Sequence, residues 1–311
     1  MAAVSSNSST APALATTQPL QLTATTVTAS TDSRFPTLVL IHGLDSTRFT
    51  WNPFIQRCNN KYHIIALDLR AHGESPLGNT QEDFTAQNLA LDIKHTLTTL
   101  KCTFPFVLVG HSMGGRVAIQ YCADYPEDLS SLIIEDMDVK PRTVTPLSAE
   151  DTQKRHAFTR DFATFEDAKG TLMNWYDSKR IDGWKKDGRV FERQGSSTTS
   201  WHSGINPMAQ HMALQYVLGE QGVGLKEWKK CGRNSARNQQ PHIYCFVAGK
   251  GSACSPESLL EMRQAVPDVT VIDFPNAFHS IHNTSHEHQF DEAIEQIMLI
   301  ANLQMKKKNK K

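Results

Sequence analysis

The stretch that decides the fold reads Phe104-Pro105-Phe106-Val107-Leu108-Val109-Gly110-His111-Ser112-Met113-Gly114-Gly115. Its first half is an apolar run that predicts a buried strand, and residues 115–123 predict a helix. Ser112 therefore lies at a strand-to-helix turn, the setting in which the pattern Gly-x-Ser-x-Gly carries chemistry. The flanking glycines allow a turn too sharp for side chains, which pushes the serine hydroxyl to the top of a sheet. The free N–H groups and positive dipole end of the following helix point to the same place.

The composition of the 311 residues excludes several classes of protein. Lys+Arg 32 and Asp+Glu 32 cancel, so no overall field attracts nucleic acid. No apolar stretch approaches the roughly 18 residues that span a bilayer, so we expect no integral membrane segment.

The six cysteines lack the paired short spacing of a metal site. We expect reduced thiols in an intracellular protein, either cytoplasmic or organellar (mitochondrion or plastid). Nothing in the sequence indicates an oligomeric state.

Strand and helix patterns alternate along most of the chain, which predicts an α/β fold with a mostly parallel central sheet and helices on both faces. Strands are predicted at 20–29, 38–41, 63–68, 105–109, 131–134, 243–247 and 269–272, and helices at 86–100, from about 256, and at 286–303. We assign residues 19–138 and 241–303 to this core.

Residues 139–240 break the alternation. They are polar, hold Trp175, Trp184, Trp201 and Trp228, and contain short helical patterns without a convincing buried strand. We expect a helical lid, inserted at the edge where open α/β sheets bind ligands. Residues 1–18 carry no charge and are expected to form a disordered tail, and residues 304–311 a basic tail.

The serine needs chemical partners, because a hydroxyl is a weak nucleophile at neutral pH. In this architecture the acid comes next in the chain and the histidine last. The histidine should follow the final strand, where His279 is nearest to the strand end and His282, one helical turn later, is the alternative. Residues 248–252, where the acid most often lies, contain no carboxylate.

An earlier strand does end in carboxylates. Asp136 lies beside the strand that carries the turn and can reach the imidazole from there, with Asp138 and Glu135 as alternatives. For the oxyanion we expect two backbone donors, the N–H of Met113 directly after the serine and the N–H of Leu44 in the loop after the strand at 38–41.

Four histidines, His279, His282, His286 and His288, stand close together in the sequence like a metal cluster. No cysteine or acidic residue is clearly placed with them, so we expect neither a metal nor a cofactor.

These residues together resemble the α/β-hydrolase superfamily. More narrowly, they resemble the small esterases that include bacterial short-chain and acyl-CoA esterases and the mitochondrial α/β-hydrolase-domain esterases of animals. The matching segments are Ile41-His42-Gly43-Leu44, Asp68-x-Arg70-x-His72-Gly73-x-Ser75, Gly110-His111-Ser112-Met113-Gly114-Gly115, Ile134-x-Asp136, Gly249-Lys250-Gly251-Ser252, Ser255-Pro256 and Asn276-Ala277-x-His279-x-x-His282.

The resemblance covers about residues 19–303 and implies roles for particular residues. In that family the acid follows the strand after the elbow helix, and a serine, here Ser252, stands at the position usual elsewhere. The implied set is nucleophile Ser112, acid Asp136 and base His279. Two residues depart from the pattern: Asp45 replaces an apolar residue, and Phe278 replaces the glycine before the histidine, where a bulky side chain reshapes the leaving-group side.

We therefore expect a serine hydrolase that cleaves carboxylic ester or thioester bonds of small or acyl substrates through an acyl-enzyme. The aromatic content of the lid suggests an apolar acyl or alcohol group. The alternatives are a catalytically silent binding or scaffold protein with this fold, and an acyltransferase or C–C hydrolase that uses the same residues.

Overall fold

A computed structural model of the chain describes residues 18–29, 35–58, 60–78, 82–193, 200–238, 241–283 and 287–308. The described strands are β1 (Ala24–Val27), β2 (Leu38–Ile41), β3 (Ile64–Leu67), β4 (Phe106–His111), β5 (Leu129–Glu135), β6 (Asp161–Phe162), β7 (Val190–Arg193), β8 (Ser200–Ser203), β9 (His242–Lys250) and β10 (Thr270–Phe278). The described α-helices are α1 (Asn52–Arg57), α2 (Ala86–Thr99), α3 (Met113–Asp124), α4 (Ala149–His156), α5 (Phe165–Leu172), α6 (Ser178–Lys186), α7 (Pro207–Ala213), α8 (Leu225–Asn238), α9 (Pro256–Ala265) and α10 (Glu287–Lys308).

Seven strands form the central sheet in the order β1-β3-β2-β4-β5-β9-β10. All neighbouring strands in it are parallel except β1, which is antiparallel to β3. The strands β2, β3, β4 and β5 are buried along their whole length, as their continuous apolar runs predict. The mostly parallel sheet predicted from the sequence is confirmed.

The two faces of the sheet carry separate hydrophobic clusters. Val39 and Ile41 belong to one cluster, and Leu38 and Leu40 to the other, because successive side chains of a strand point to opposite faces. Helices α2, α3, α8 and α9 contribute to the first cluster, and α1 and α10 to the second. Helices therefore cover both faces, as expected.

The insertion after β5 contains helices, as predicted, but also a small sheet that the sequence analysis did not predict. Strands β6, β8 and β7 pair antiparallel in that order. The sequence showed no convincing buried strand here because these strands are only two to four residues long, largely polar and only partly buried. Such short segments give no periodicity to detect.

The tryptophans of the insertion fill its own core. Trp184 is buried in a cluster with residues such as Phe165 and Ile181, and Trp175 and Trp201 pack against that cluster. The aromatic content is thus explained by local packing and is no argument for an apolar substrate. Trp228 lies elsewhere, because α8 packs on α3 and buries this side chain in the main core.

One buried guanidinium of α3 binds the chain on both sides of the part of the insertion that precedes α8. Arg116 of α3 donates to the main-chain oxygen of Asp138, to that of Lys140 at 2.6 Å, and to that of Val223. The start of the insertion and the residues just before α8 are therefore anchored to the same side chain.

The chain ends differ in part from the predictions. Residues 1–17, in the predicted tail, and 309–311 lie outside the described residues. Helix α10 continues to Lys308, past the predicted end at 303, because residues 304–308 contain neither glycine nor proline and favour a helix. None of the described helices has the length and apolarity needed to cross a membrane. The six cysteines are free thiols.

Candidate active site

Ser112 stands at the sharp turn between β4 and α3. Its φ of +53° lies in the left-handed region, which costs a non-glycine residue backbone energy of about 1–3 kcal/mol. Gly114 makes the turn possible, because a Cβ there would lie 2.5 Å from the main-chain oxygen of His42. The serine N–H donates to the main-chain oxygen of Glu135 at 2.9 Å, which ties the turn to β5.

Three side chains predicted from the sequence meet at this turn. His279 Nε2 lies 2.9 Å from Ser112 Oγ, and His279 Nδ1 lies 2.6 Å from Asp136 Oδ2. A carboxylate only accepts, so Nδ1 carries the proton and Nε2 is free to accept the proton of the serine hydroxyl. The three residues come from the ends of β4, β5 and β10, since the carboxyl ends of parallel strands share one edge of the sheet.

Asp136 is held as a carboxylate. Its Oδ1 accepts from Ser252 Oγ at 2.5 Å and from the Ala248 N–H at 3.0 Å, and its Oδ2 also accepts from the Ala253 N–H at 3.0 Å. Burial alone raises the pKa of Asp136, but the hydrogen bonds from His279, Ser252 and the two N–H groups outweigh it and lower that pKa below its usual range. This carboxyl group therefore stays ionised at neutral pH.

The other predicted candidates have different partners. Glu135 accepts from His282, whose Nδ1 lies 2.8 Å away, and both side chains are fully buried. Asp138 pairs with Arg142 at 2.8 Å. Neither of these carboxylates contacts His279, so among the alternatives only Asp136 reaches the histidine next to Ser112.

His111 separates the two histidines that follow β10. Its ring centroid lies 4.8 Å from that of His279 and 5.1 Å from that of His282. Burial lowers the pKa of His111 to about 3. The ring is thus neutral at pH 7, and its Nε2 donates to the main-chain oxygen of His279 at 3.1 Å. His111 therefore adds no positive charge beside His279.

Of the two expected oxyanion donors, one adjoins the serine in the chain and the other follows a glycine that packs against the serine. Met113 is the first residue of α3, so its N–H has no partner within the helix. Leu44 follows Gly43, which packs so closely that a Cβ on it would lie 3.0 Å from Ser112 Cβ.

The side chain of His42 fixes the loop after β2 through two hydrogen bonds to the main chain. Its Nε2 accepts from the Leu69 N–H at 3.0 Å, and its Nδ1 donates to the Gly43 oxygen at 2.7 Å. Burial lowers the pKa of His42 to about 3, which fits this neutral form.

The two residues that depart from the family pattern, Phe278 and Asp45, lie in different environments. Phe278, beside His279, is 61 % exposed and contacts the Lys250 ammonium. Asp45 is buried and is bound by side chains of the insertion. Its unexpected identity after Leu44 was the one signal in the sequence for these contacts, which sequence reasoning missed.

The described residues contain no group of three or more histidine, cysteine or acidic side chains placed to hold a metal ion. In the predicted histidine cluster, His279 and His282 have the carboxylate partners given above, and His286 lies outside the described residues.

Comparison with known proteins decides the family. A family model described as the alpha/beta hydrolase fold matches residues 36–285. The chain belongs to this family. Among curated relatives, the α/β hydrolase is 23 % identical over 264 residues to the sn-1-specific diacylglycerol lipase ABHD11 of Mus musculus, covering 81 % of this chain and 78 % of that protein. It is 39 % identical to the uncharacterized hydrolase YugF of Bacillus subtilis, over 50 % of this chain and 58 % of that protein.

Other similarities are partial or concern the fold alone. Epoxide hydrolase 4 of Mus musculus is 35 % identical over 102 residues, which is 32 % of this chain and only 27 % of that protein. A solved structure of a marine microorganism esterase matches this α/β hydrolase with a TM-score of 0.65 at 16 % identity, covering 89 % of this chain and 99 % of that one. E-2-(Acetamidomethylene)succinate hydrolase matches with a TM-score of 0.62 at 19 % identity, covering 89 % and 94 %.

Proposed function

We propose that this α/β hydrolase is a serine hydrolase that cleaves carboxylic ester or thioester bonds of small or acyl substrates through an acyl-enzyme. The observation that carries the proposal is the chain of contacts from Ser112 Oγ through His279 to Asp136, at 2.9 Å and 2.6 Å. The names of the esterase and lipase among the similar proteins agree with a carboxylic ester as substrate.

Each residue has a role in the proposed reaction. Ser112 Oγ attacks the acyl carbon while His279 Nε2 takes the hydroxyl proton, and Asp136 stays ionised and stabilises the imidazolium. The N–H groups of Leu44 and Met113 donate to the oxyanion of the tetrahedral intermediate. His279 then protonates the leaving alcohol or thiol, which departs and leaves the acyl group on Ser112.

Water completes the turnover. His279 removes a proton from a water molecule that attacks the acyl carbon, a second tetrahedral intermediate forms, and Ser112 leaves with the proton returned by His279. The products are the carboxylic acid and the regenerated enzyme.

The test replaces Ser112 with alanine and follows hydrolysis of p-nitrophenyl butyrate and labelling by a fluorophosphonate probe. Turnover should fall about a thousandfold or more, and the wild-type label should map to Ser112. Ser280→Ala is the matched control, because this serine adjoins His279 and lies 3.5 Å from His111, outside the proposed set. A Ser112→Ala enzyme as active as the wild type rejects the proposal. A wild-type protein that neither turns over esters and acyl thioesters nor takes the label favours a binding protein.

A further inference from the structure

Asp45 is a buried carboxylate of the core whose side-chain partners come from the insertion. It follows Leu44 directly, is 2 % exposed, and has a φ of +50° in the left-handed region. Asparagine and aspartate tolerate that region better than other non-glycine residues. Aspartate is thus compatible with the backbone conformation at this position. Its buried carboxylate, however, needs hydrogen-bond or charged partners to offset the cost of desolvation.

Three side chains of the insertion supply these partners. Arg180 Nη2 donates to Asp45 Oδ2 at 2.9 Å, Gln210 Nε2 donates to the same oxygen at 3.0 Å, and the Tyr176 hydroxyl donates to Oδ1 at 3.3 Å. A fourth residue, Arg189, donates to the main-chain oxygen of Asp45 at 2.8 Å. Segments of the insertion that are far apart in the chain thus converge on one residue of the core.

The same contacts bear on the peptide group of Leu44. The N–H of Leu44 and the C=O of Gly43 belong to one planar trans peptide and point in opposite directions. His42 Nδ1 donates to that C=O at 2.7 Å, so the core fixes one side of the Leu44 residue. The insertion fixes the other side through Asp45, by its carboxylate and by its main-chain oxygen.

Removing the insertion's contacts leaves a costly alternative. Burial raises the pKa of Asp45, while Arg180, Gln210 and Tyr176 act in the opposite direction. Without those partners the side chain must move toward water. A movement that carries the Asp45 backbone along turns the adjoining Leu44–Asp45 peptide and, through the Leu44 Cα, shifts the Gly43–Leu44 peptide that carries the expected oxyanion donor.

We propose that Asp45 is a positioning residue through which the insertion sets the orientation of the Leu44 N–H. This inference rests on the proposed function, because it assigns the insertion a part in stabilising the oxyanion. The insertion then affects the rate of the chemical step and does more than cover the substrate.

The experiment compares Asp45→Asn and Arg180→Gln with the wild type. Asparagine keeps the size and the tolerance of positive φ but removes the charge. Arg180 is half-exposed, so its replacement should disturb folding less than that of the buried Asp45. The matched control is Arg193→Gln, because Arg193 has similar exposure and pairs with Asp161 inside the insertion.

The measurement is kcat per active site, titrated with a fluorophosphonate, together with KM for p-nitrophenyl butyrate. Losing an oxyanion donor outright costs about 100- to 1000-fold in kcat, so a misdirected donor should cost about 10- to 100-fold, with little change in KM. The Asp45→Asn/Arg180→Gln double variant should be no slower than Asp45→Asn alone, since both changes act on one contact. Arg193→Gln should match the wild type.

Three results overturn the inference: an unchanged kcat per titrated site in both single variants, a change in KM alone, or a double variant whose loss is the product of the single losses. Failure of the proposed function looks different, because the wild-type enzyme itself would then show neither turnover nor label at Ser112.

Discussion

Two carboxylate–histidine pairs lie side by side where β5 ends, and they differ chiefly in access to solvent. Asp136 contacts His279 at 2.6 Å, and His279 contacts Ser112 at 2.9 Å, with the histidine side chain 35 % exposed. Glu135 contacts His282 at 2.8 Å, and His282 Nε2 lies 3.1 Å from the hydroxyl of Thr50, with the carboxylate and imidazole fully buried.

The second chain of contacts has the same order of groups as the first: hydroxyl, imidazole, carboxylate. Its environment differs, because His282 stacks on Trp51 with ring centroids 4.0 Å apart and both side chains are fully buried. A substrate carbonyl cannot reach a buried hydroxyl. Of the two chains of contacts, only the first ends in a hydroxyl at a strained and partly exposed turn, where the proposed function requires it.

The largest effect that we expect is a loss of activity when Asp136, but not Asp138, loses its charge. Asp136→Asn should lower kcat for p-nitrophenyl butyrate about 10⁴-fold, or about 5.4 kcal/mol, because the histidine loses the acceptor that fixes its tautomer. Asp138→Asn is the control, since Asp138 pairs with Arg142 instead. An Asp138→Asn enzyme that loses more activity than Asp136→Asn would contradict the assignment of the acid.

The second prediction concerns the buried pair of Glu135 and His282, whose loss should affect the stability of the fold more than the activity. Glu135→Gln should lower the free energy of unfolding by roughly 1.5–3 kcal/mol, because it removes the charge from the buried group that accepts hydrogen bonds from the main-chain N–H and the Nδ1 of His282. The loss of kcat per titrated site should be far smaller than that for Asp136→Asn. Urea denaturation gives the stability, with Glu127→Gln as an exposed control. Unchanged stability in Glu135→Gln would show that this pair is not structural.

The third prediction uses His111, which separates the two pairs. Its pKa rises from about 3 in the folded state to its ordinary 6.5 on unfolding. Between those values the unfolded state binds the extra proton, so stability is full above pH 6.5 and falls as the pH is lowered toward 3. This histidine contributes a slope of about 1.4 kcal/mol per pH unit.

The check is chemical denaturation of wild type and His111→Asn at pH 7, 6 and 5, above the range in which ordinary carboxylates titrate. The variant should have the shallower dependence on pH. Equal slopes for the two proteins would mean that His111 does not stay neutral in the fold.

The smallest effect should come from the buried hydroxyl. Thr50→Val removes the contact with His282 while keeping the side-chain shape, and should cost about 1 kcal/mol of stability with kcat unchanged. Thr98→Val, at an exposed position of α2, is the matched control. If Thr50→Val reduced kcat as Ser112→Ala does, the contrast between an open and a buried hydroxyl would be wrong.

The sequence allowed the strands around the site to be predicted, because continuous apolar runs mark strands buried on both faces. Ser112 and His279 could be proposed from the turn and from chain order. The choice among Glu135, Asp136 and Asp138 could not be made from the residues alone, since it depends on which way each side chain leaves the end of β5.

Other features lay beyond sequence reasoning because they depend on distant contacts. The partners of Asp45 come from 131 to 165 residues further along the chain. The pairing of Glu135 with His282 spans 147 residues. Strands as short as β6 have no pattern of their own and form only when the rest of the insertion brings them together.

The clamp that Arg116 makes has a consequence for engineering. Lys140 and Val223, on the two sides of residues 141–222, bind the same guanidinium, so the chain that follows β5 and the chain that enters α8 share one anchor. A segment whose ends are pinned close together can be exchanged for another of different length at little entropic cost to the host. A graft in place of residues 141–222 must therefore retain Lys140 and Val223, the side chains that pack in the main core, such as Met212 and Val217, and the partners of Asp45.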